Sequence, residues 1–304
     1  MEFDCFRTSC YTVFLCNILY WYMTTCSVFP ACFKRVMIIR QPAVAGSFYS
    51  DNPTQLQSDI EGFVVRDCDK QPVLGVISPH AGYIYSGRVA GNLYSRITIP
   101  DTVVILAPNH TGYGAPYSIW PGGQWRTPLG DVTIDEVVVE ELTDACSLLE
   151  KDRAAHLYEH AAEVQIPFIQ YFNPRSEIVV IVLSARSVED LKNIGKKLSQ
   201  VLQKLRPHAL VVASSDMTHH ESQASANRKD KIAIGEVLAM NEDALYSKVR
   251  EMNITMCGIY PAVTMLVCSK ERGAKRAELV RYETSGDITG DYDHVVGYAG
   301  IIVR

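Results

Sequence analysis

The sequence predicts one α/β domain built on a central, mostly parallel or mixed sheet that is flanked by helices. Three observations support this prediction. Short runs rich in β-branched residues recur from residue 73 onwards, segments with the apolar period of amphipathic helices lie between them, and no Gly-, Ser- or Pro-rich linker divides the chain. The length of 304 residues suits one large α/β domain as well as two smaller ones, and the lack of a linker favours one.

Six strands are predicted along the chain. Several are continuous apolar runs, as in residues 178–183, and such runs are typical of strands that are covered on both faces. The predicted strands are Val73–Ser78, Thr102–Ala107, Glu177–Leu183, Ala209–Ser215, Ala277–Tyr282 and Val295–Val303. We expect these strands to form the sheet.

Three helical regions are predicted between the strands. They cover Asp135–Leu149, Val188–Leu205 and the region from Ala224 to Met252, which breaks near Asn241. The second region has an apolar stripe at helical spacing. Ser187 stands just before it and Asp190 follows three residues later. This spacing resembles a capping box and predicts a helix that begins directly after Ser187.

The composition excludes several classes of protein. With 47% hydrophobic and 21% charged residues, the chain has enough apolar material for a core and does not resemble a disordered or fibrous protein. The net charge is −5, and no local run supplies the basic surplus that nucleic-acid binders carry. Nucleic acid is therefore not an expected partner.

The first 36 residues differ from the rest. Thr8–Phe33 contains no charged residue and is followed by Lys34 and Arg35. Its length would allow a membrane-spanning helix, but polar residues interrupt it and Pro30 lies near its end. We predict that residues 1–36 are an extension outside the domain, with translation beginning at Met37. The alternative is a membrane anchor, whose Lys34 and Arg35 would keep the domain on the cytoplasmic side.

The cysteines are also unevenly distributed between the first 36 residues and the rest of the chain. Five of the nine lie in the first 32 residues, and the remaining four are dispersed. No C-x-x-C pair occurs, so neither a zinc ribbon nor a thioredoxin-type pair is indicated. Four scattered thiols do not make a secreted disulfide scaffold. Residues 37–304 are therefore predicted to form a cytoplasmic domain.

Residues that can bind metal directly follow three of the predicted strands. His80 follows the first strand, His110 the second, and Asp216 and His219 the fourth. In open α/β sheets, ligands bind outside the carboxyl ends of the strands. A single histidine beside a strand is usually structural, but three strand ends that all carry metal-capable groups predict a shared site.

A further cluster of charged residues lies at Glu159, His160 and Glu163, on a predicted helix. His160 and Glu163 are three residues apart and would project from one face of that helix. A nearby metal or substrate could use either of them. The alternative is a solvated helix face with a contact between glutamate and histidine.

Cys257 has two interpretations. Cysteine is most often a small buried apolar residue. A thiolate beside two imidazoles would instead form a soft site for iron, copper or zinc. Because Cys257 lies outside any clear helical period, the pattern alone leaves both interpretations open.

Seven motifs occur in a fixed order between Met37 and Arg304. They are RQPAVAGSFY at 40–49, SPHAGY at 78–83, PNHTG at 108–112, EHAAE at 159–163, SSD at 214–216, MCG at 256–258 and GDYDHVVGY at 290–298. Together they resemble the MEMO1 family, whose prokaryotic members are also called AmmeMemoRadiSam system protein B. Members of that family typically begin at the first motif, which agrees with an extension before Met37.

The resemblance implies a fold like that of the class III extradiol (LigB-type) non-haem iron dioxygenases, with a comparable metal pocket. The metal ligands of MEMO proteins correspond here to His80, His110 and Cys257. Asp216 and His219 correspond to residues near that pocket. The chain departs from many relatives at Tyr260, where they have glycine, and a bulky phenol there would narrow the mouth of the pocket.

The function implied by the resemblance is that of an iron- or copper-dependent redox protein, with zinc less favoured. Asp216 would orient or deprotonate a neighbour, and His219 would act as acid or base. His160 and Glu163 would contact the substrate or support the site. Because a thiolate alters the redox poise of iron, ring cleavage is not expected to carry over.

The sequence leaves two alternatives for the function. The first is a binding protein that holds a metal, a small molecule or a peptide without turnover and works with the AMMECR1-like and radical SAM proteins after which the system is named. The second is a metal-dependent hydrolase, in which zinc activates water and Asp216 or Glu163 serves as base. Contact with a membrane is expected only if the first 36 residues form an anchor.

Overall fold

Four parallel strands in the middle of a mixed sheet form the centre of the fold. The structure is a computed structural model that describes residues 38–184 and 187–304. The described strands are β1 (Ile39–Arg40), β2 (Gly75–Ser78), β3 (Thr102–Pro108), β4 (Tyr117–Ile119), β5 (Gln124–Thr127), β6 (Gly130–Thr133), β7 (Glu150–Lys151), β8 (Glu177–Leu183), β9 (Leu210–Ser214), β10 (His219–Glu221), β11 (Ala277–Thr284) and β12 (Val295–Val303).

Within the described residues, the main sheet has nine strands in the order β10–β12–β2–β9–β3–β8–β4–β7, with β11 paired to β12. Strands β2, β9, β3 and β8 are parallel, whereas β12 and β4 run antiparallel to their neighbours in this group. The parallel strands are buried almost throughout, as their continuous apolar runs require. A smaller sheet has the order β1–β5–β6.

Helices pack against this sheet. They are α1 (Pro53–Phe63), α2 (Tyr83–Ser95), α3 (Glu136–Ala145), α4 (Ala154–Leu157), α5 (Ile166–Phe172), α6 (Val188–Leu205), α7 (Gln223–Leu238), α8 (Glu242–Glu251), α9 (Ile259–Glu271) and α10 (Gly286–Thr289), with a 3₁₀ turn at Glu163–Gln165. Helix α9 contacts β9, β3 and β2, while α6 packs on α9 and α3. Helix α2 contacts β12 and β11. Residues 38–304 form one compact unit.

The predicted α/β class with a mixed sheet is confirmed. All six predicted strands are present, and Glu177–Leu183 and Val295–Val303 have the predicted bounds. Helix α6 begins and ends as predicted, and the Ser187 hydroxyl caps it by accepting the Asp190 N–H at 3.1 Å. The break near Asn241 separates α7 from α8.

Two local predictions were wrong. The helix expected over Asp135–Leu149 ends at Ala145, because the chain becomes extended at Cys146 before it enters β7. The segment from Glu159 to Ala162 is a loop rather than a helix, and Glu163 begins the short 3₁₀ turn. His160 and Glu163 therefore do not share a helix face.

The predictions for residues 1–36 lie outside the described residues. Among the residues that the structure does describe, no helix has both the length and the apolar character needed to cross a bilayer.

Candidate metal centre

The ends of β2, β9 and β3 lie side by side, and this brings three polar segments together. Ser78 is paired with Ser214, and Ala213 is in turn paired with Leu106. The chain leaves each strand within a few residues of these pairs. His80, His110 and Asp216 therefore all follow the same edge of the sheet, as the strand-end pattern predicted.

Three imidazoles converge at this edge. One ring nitrogen from each of His80, His110 and His160 lies within 4.8 Å of the other two. The ring centroids are 5.2 Å apart for His80 and His110, 5.4 Å for His80 and His160, and 4.6 Å for His110 and His160. His80 is buried, whereas the His110 side chain is 33% exposed, so the cluster opens towards solvent.

The hydrogen bonds of Ser214 fix the tautomer of His80. The Ser214 hydroxyl donates its one hydrogen to the Ala161 carbonyl oxygen at 2.7 Å. The His80 Nδ1, 2.9 Å from the same oxygen, must therefore be the donor in that contact. A neutral His80 then has its free lone pair on Nε2, which is the state in which imidazole binds a metal.

Glu159 orients His110 in a similar way. Its carboxylate accepts the His110 backbone N–H at 2.6 Å and the ring Nδ1 at 2.9 Å. The Nδ1 of His160 lies 3.5 Å from the same carboxylate. Histidine ligands of protein metal sites usually donate their second nitrogen to such a carboxylate, which fixes the ring and raises its basicity.

The surroundings lower the pKa of two of the rings. Burial, followed by the neighbouring His160, lowers the pKa of His80 well below its usual value. Burial also lowers the pKa of His160, more strongly than Glu159 raises it. For His110, burial is outweighed by the hydrogen bond and charge of Glu159, and its pKa is raised. Metal binding requires neutral imidazole, so the low pKa values of His80 and His160 favour it.

Cys257 lies beside His80. Its Sγ is 3.2 Å from the His80 Nε2 and accepts the Asp216 N–H at 3.2 Å. Gly258 lets the backbone next to Cys257 pass close to the end of β9, because a Cβ added at Gly258 would lie 2.3 Å from the Ser214 carbonyl oxygen. Burial and the nearby Asp216 raise the pKa of the thiol well above its usual value. The thiol must therefore lose its proton when a metal binds.

Asp216 contacts both His80 and Cys257, and His219 follows it three residues later. The Asp216 carboxylate accepts the His80 backbone N–H at 2.8 Å, and burial raises the pKa of Asp216 to about 6. The His219 ring is held at 2.9 Å from the Thr255 carbonyl oxygen. His220 has a φ of 57° and a β-bulge separates His219 from Glu221, so the backbone here is in a conformation that few residues adopt.

Glu163 is separated from these groups by its own contacts. It is fully buried, and its carboxylate accepts the N–H groups of Ala43 at 2.8 Å and Val44 at 3.0 Å. It also accepts the Tyr49 hydroxyl at 2.6 Å and forms an ion pair with Arg40. The carboxylate predicted to contact substrate is thus occupied by protein donors.

Two contributors were not identified from the sequence. The sequence pattern shows Glu159 as a charged residue without an assigned role, and Ser214 only as part of a motif. Both are fully buried polar residues beside a predicted ligand, a property that depends on the fold. Their signal in the sequence is their position, because Glu159 directly precedes His160 and Ser214 ends a strand.

A cavity of about 370 Å³ lies next to Thr255, the residue that holds His219. Tyr260 and Met256 line it, together with Arg250. The residues that line this cavity do not include His80, His110 or His160, so the narrowing of the metal pocket by Tyr260 stays a prediction.

Comparison with known proteins gives a consistent result. The family described as "Memo-like protein" matches residues 40–302. A MEMO1 family protein of Methanocaldococcus jannaschii is 42% identical over 286 residues, covering 88% of this chain and 99% of that protein. A MEMO1 family protein of Aquifex aeolicus is 42% identical over 270 residues, with coverage of 88% and 99%.

A solved structure has a similar fold. The crystal structure of an uncharacterized protein from Escherichia coli K12 is 10% identical and superimposes with a TM-score of 0.50. The match covers 76% of this chain and 99% of that one. This similarity concerns the fold alone.

Proposed function

Because this chain belongs to the MEMO1 family of Memo-like proteins, we propose that it binds a redox-active iron or copper ion at the edge formed by β2, β9 and β3. The observation that carries the proposal is the convergence of three imidazoles, two of which have Nδ1 held by protein partners. His80 and His110 would be the fixed ligands, and Cys257 the third.

The donor set fits such an ion. Imidazole and thiolate together suit copper, iron and zinc, while a carboxylate-rich set would suit magnesium or calcium. A bound iron or copper ion would supply one-electron chemistry to a substrate. His160 is placed to contact the ion or the substrate, since its ring nitrogen lies within the same 4.8 Å cluster.

Asp216 and His219 would handle protons in this proposal. A carboxyl with a pKa of about 6 can hold or release a proton near neutral pH, and Asp216 is tied to the His80 backbone. His219 has its ring Nδ1 at the Thr255 carbonyl, so its second nitrogen is the one available for proton transfer. Glu163 has no role in this scheme because its carboxylate is occupied by protein donors.

A metal-dependent hydrolase is the second candidate, and one observation favours it. Three histidines with an open position are the ligand set of some catalytic zinc sites. His80, His110 and His160 form such a set without Cys257. In that case zinc would activate water, and Asp216 would be the nearby base.

We also propose a cellular location and partner proteins. The described cysteines Cys68, Cys146, Cys257 and Cys268 are all free thiols. Free thiols persist in reducing compartments, which supports a cytoplasmic location. AMMECR1-like and radical SAM proteins are the partners that we propose to test by co-purification.

The test is an anaerobic titration of Fe(II), Cu(I) and Zn(II) into the metal-free chain. We expect the wild type to bind one ion, and His80→Ala and His110→Ala to lose Fe(II) and Zn(II) binding, because the two remaining proposed ligands rarely hold a divalent ion. Cys257→Ser should bind more weakly and prefer harder metals. His208→Ala changes an exposed histidine outside the cluster and is the matched control, expected to bind as the wild type does.

The outcomes separate the candidates. If Cys257→Ser keeps wild-type affinity for all three ions while His160→Ala loses it, the three-histidine set and the hydrolase are favoured. Oxygen consumption by the iron- or copper-loaded protein, and none by the zinc-loaded protein, supports the redox function. A wild type that binds none of the ions contradicts both.

A further inference from the structure

Arg40 makes contacts that link the first motif of the domain to the metal centre. The residue is 2% exposed, and each of its three guanidinium nitrogens has a partner. Nε donates to the His156 carbonyl oxygen at 3.1 Å, Nη2 donates to the Glu159 carbonyl oxygen at 2.8 Å, and Nη1 forms the ion pair with Glu163. All three partners lie on the segment 156–163, more than a hundred residues away in the chain.

The rest of the segment 40–49 strengthens this link. The Ala43 and Val44 N–H groups and the Tyr49 hydroxyl all donate to the Glu163 carboxylate. The Phe48 ring packs against the His160 ring, with centroids 4.9 Å apart. The two segments are thus held together at both the backbone and the side-chain level.

The segment 156–163 carries two groups of the metal centre. Glu159, whose carbonyl Arg40 holds, receives the backbone N–H and the ring Nδ1 of His110 on its carboxylate. His160 is the next residue and belongs to the imidazole cluster. A displacement of the backbone at Glu159 would therefore move the support of one imidazole and the attachment point of another.

Stability alone does not account for a buried arginine here. Removing two charges from water is expensive, and well-packed apolar residues often replace a buried ion pair without loss of stability. An apolar pair could not donate to two separate backbone carbonyls. The planar fork of arginine can do so with fixed geometry.

We propose that the segment 40–49, acting through Arg40 and its partner Glu163, positions the metal centre. Arg40 is a positioning residue: it fixes the backbone at Glu159 and so the orientation of the His110 and His160 rings. This inference rests on the proposed function, since it assigns a role toward the same metal site.

The test is a titration of the full chain with Co(II), followed by the visible absorption of the bound ion. Arg40→Lys keeps the positive charge near Glu163 but loses the fork that reaches both carbonyls. We expect its Co(II) affinity to fall about 10- to 100-fold, the usual effect of losing a group that orients a ligand. We also expect the spectrum at saturation to differ from that of the wild type, because the ligand geometry changes.

The matched control is Arg206→Lys. Arg206 pairs with the buried Asp135 at 2.8 Å, and Asp135 donates its N–H to Ile178 at the beginning of β8, away from the strand ends that carry the site. The variant should keep wild-type Co(II) affinity and spectrum even if it unfolds at a lower temperature. If the role of Arg40 were purely structural, Arg40→Lys would likewise keep wild-type Co(II) affinity and spectrum and would differ only in its unfolding temperature.

The experiment separates failure of the proposed metal site from failure of the positioning role of Arg40. A wild type that does not bind Co(II) contradicts the proposed metal site itself. A folded Arg40→Lys with wild-type affinity and spectrum overturns the positioning role and leaves the metal site standing. If Arg40→Lys does not fold, Tyr49→Phe decides: it removes one donor to Glu163, and a smaller loss with a shifted spectrum supports the inference, whereas no change overturns it.

Discussion

At the scale of single residues, His80 shows how its neighbours set the chemical state of a side chain. Ser214 accepts the Nδ1 hydrogen, Asp216 accepts the backbone N–H, and the Cys257 sulfur lies 3.2 Å from Nε2. Ser214 and Asp216 come from the end of β9, and Cys257 comes from the segment before α9. The ring is thereby buried and held in one orientation with its lone pair towards the cluster.

Asp216 should make the stability of the metal-free protein depend on pH. Burial raises its pKa to about 6, above the usual value of 3.8, so the folded state holds this proton more tightly than the unfolded state. The contribution of this proton to the free energy of unfolding is complete below about pH 4 and is lost as the pH rises through 6. Relative to Asp216→Asn, the wild type should lose up to about 1.4 kcal/mol per pH unit in this range.

Urea unfolding of both proteins at several pH values measures this difference. Asp152→Asn is the control, because its stability difference from the wild type should change with pH in the opposite direction. Although burial raises the pKa of Asp152, backbone hydrogen bonds such as that from Ala115 lower it overall. Compared with its own variant, the wild type should gain stability as the pH rises through the acid range. A difference for Asp216→Asn that stays constant from pH 4 to 7 would contradict the prediction.

At the scale of elements, side-chain caps set where several helices begin. In each case an oxygen at the N-cap accepts a backbone N–H of the first turn. The N-caps of this kind are Asn52, Asp135, Ser187, Ser222 and Asn241. These residues act on the chain next to them, so their effect can be predicted from sequence alone.

Replacing Ser187 with alanine should destabilise the protein by about 1 kcal/mol, because the Asp190 N–H loses its acceptor. Ser187→Gly should cost only a few tenths of a kcal/mol. Thermal or urea unfolding measures both values. Ser247→Ala, in the middle of α8 at an exposed position, is the matched control and should be neutral or slightly stabilising. Equal losses at both serines would show that the cap contributes nothing.

At the scale of the whole molecule, residues 38–304 contain the sheet, its helices and the histidine cluster. The family match covers residues 40–302 within this unit. The histidine cluster lies where the parallel strands end, and the segment 40–49 contacts Glu159 and His160 beside it. The unit therefore includes all the groups that the proposals use.

A chain that starts at Met37 should unfold at the same urea concentration as the full chain, because the unit from residue 38 has its own core. A chain that starts at Ala43 is the control. It lacks Arg40 and leaves the buried Glu163 without its cation, which should cost about 3–5 kcal/mol. Urea unfolding followed by circular dichroism compares all three. Loss of structure on removal of residues 1–36 alone would contradict the prediction.

Local sequence patterns predict the α/β class, six of the nine described strands of the main sheet, the bounds of α6 and the positions of His80 and His110 after their strands. These features depend on local patterns: β-branched runs, an apolar stripe and a capping serine. Helix α9 escaped prediction because ten of its thirteen residues are buried, which leaves no polar face to give a helical period.

Which residues meet depends on how the elements pack. His160 joined His80 and His110 from a loop, where the sequence had suggested a helix face shared with Glu163. Glu163 paired instead with Arg40, 123 residues away, and Glu159 became the support of His110. Burial makes an unpaired charge or polar group costly, so these groups find partners wherever packing brings donors and acceptors together. No periodicity within one segment records that choice.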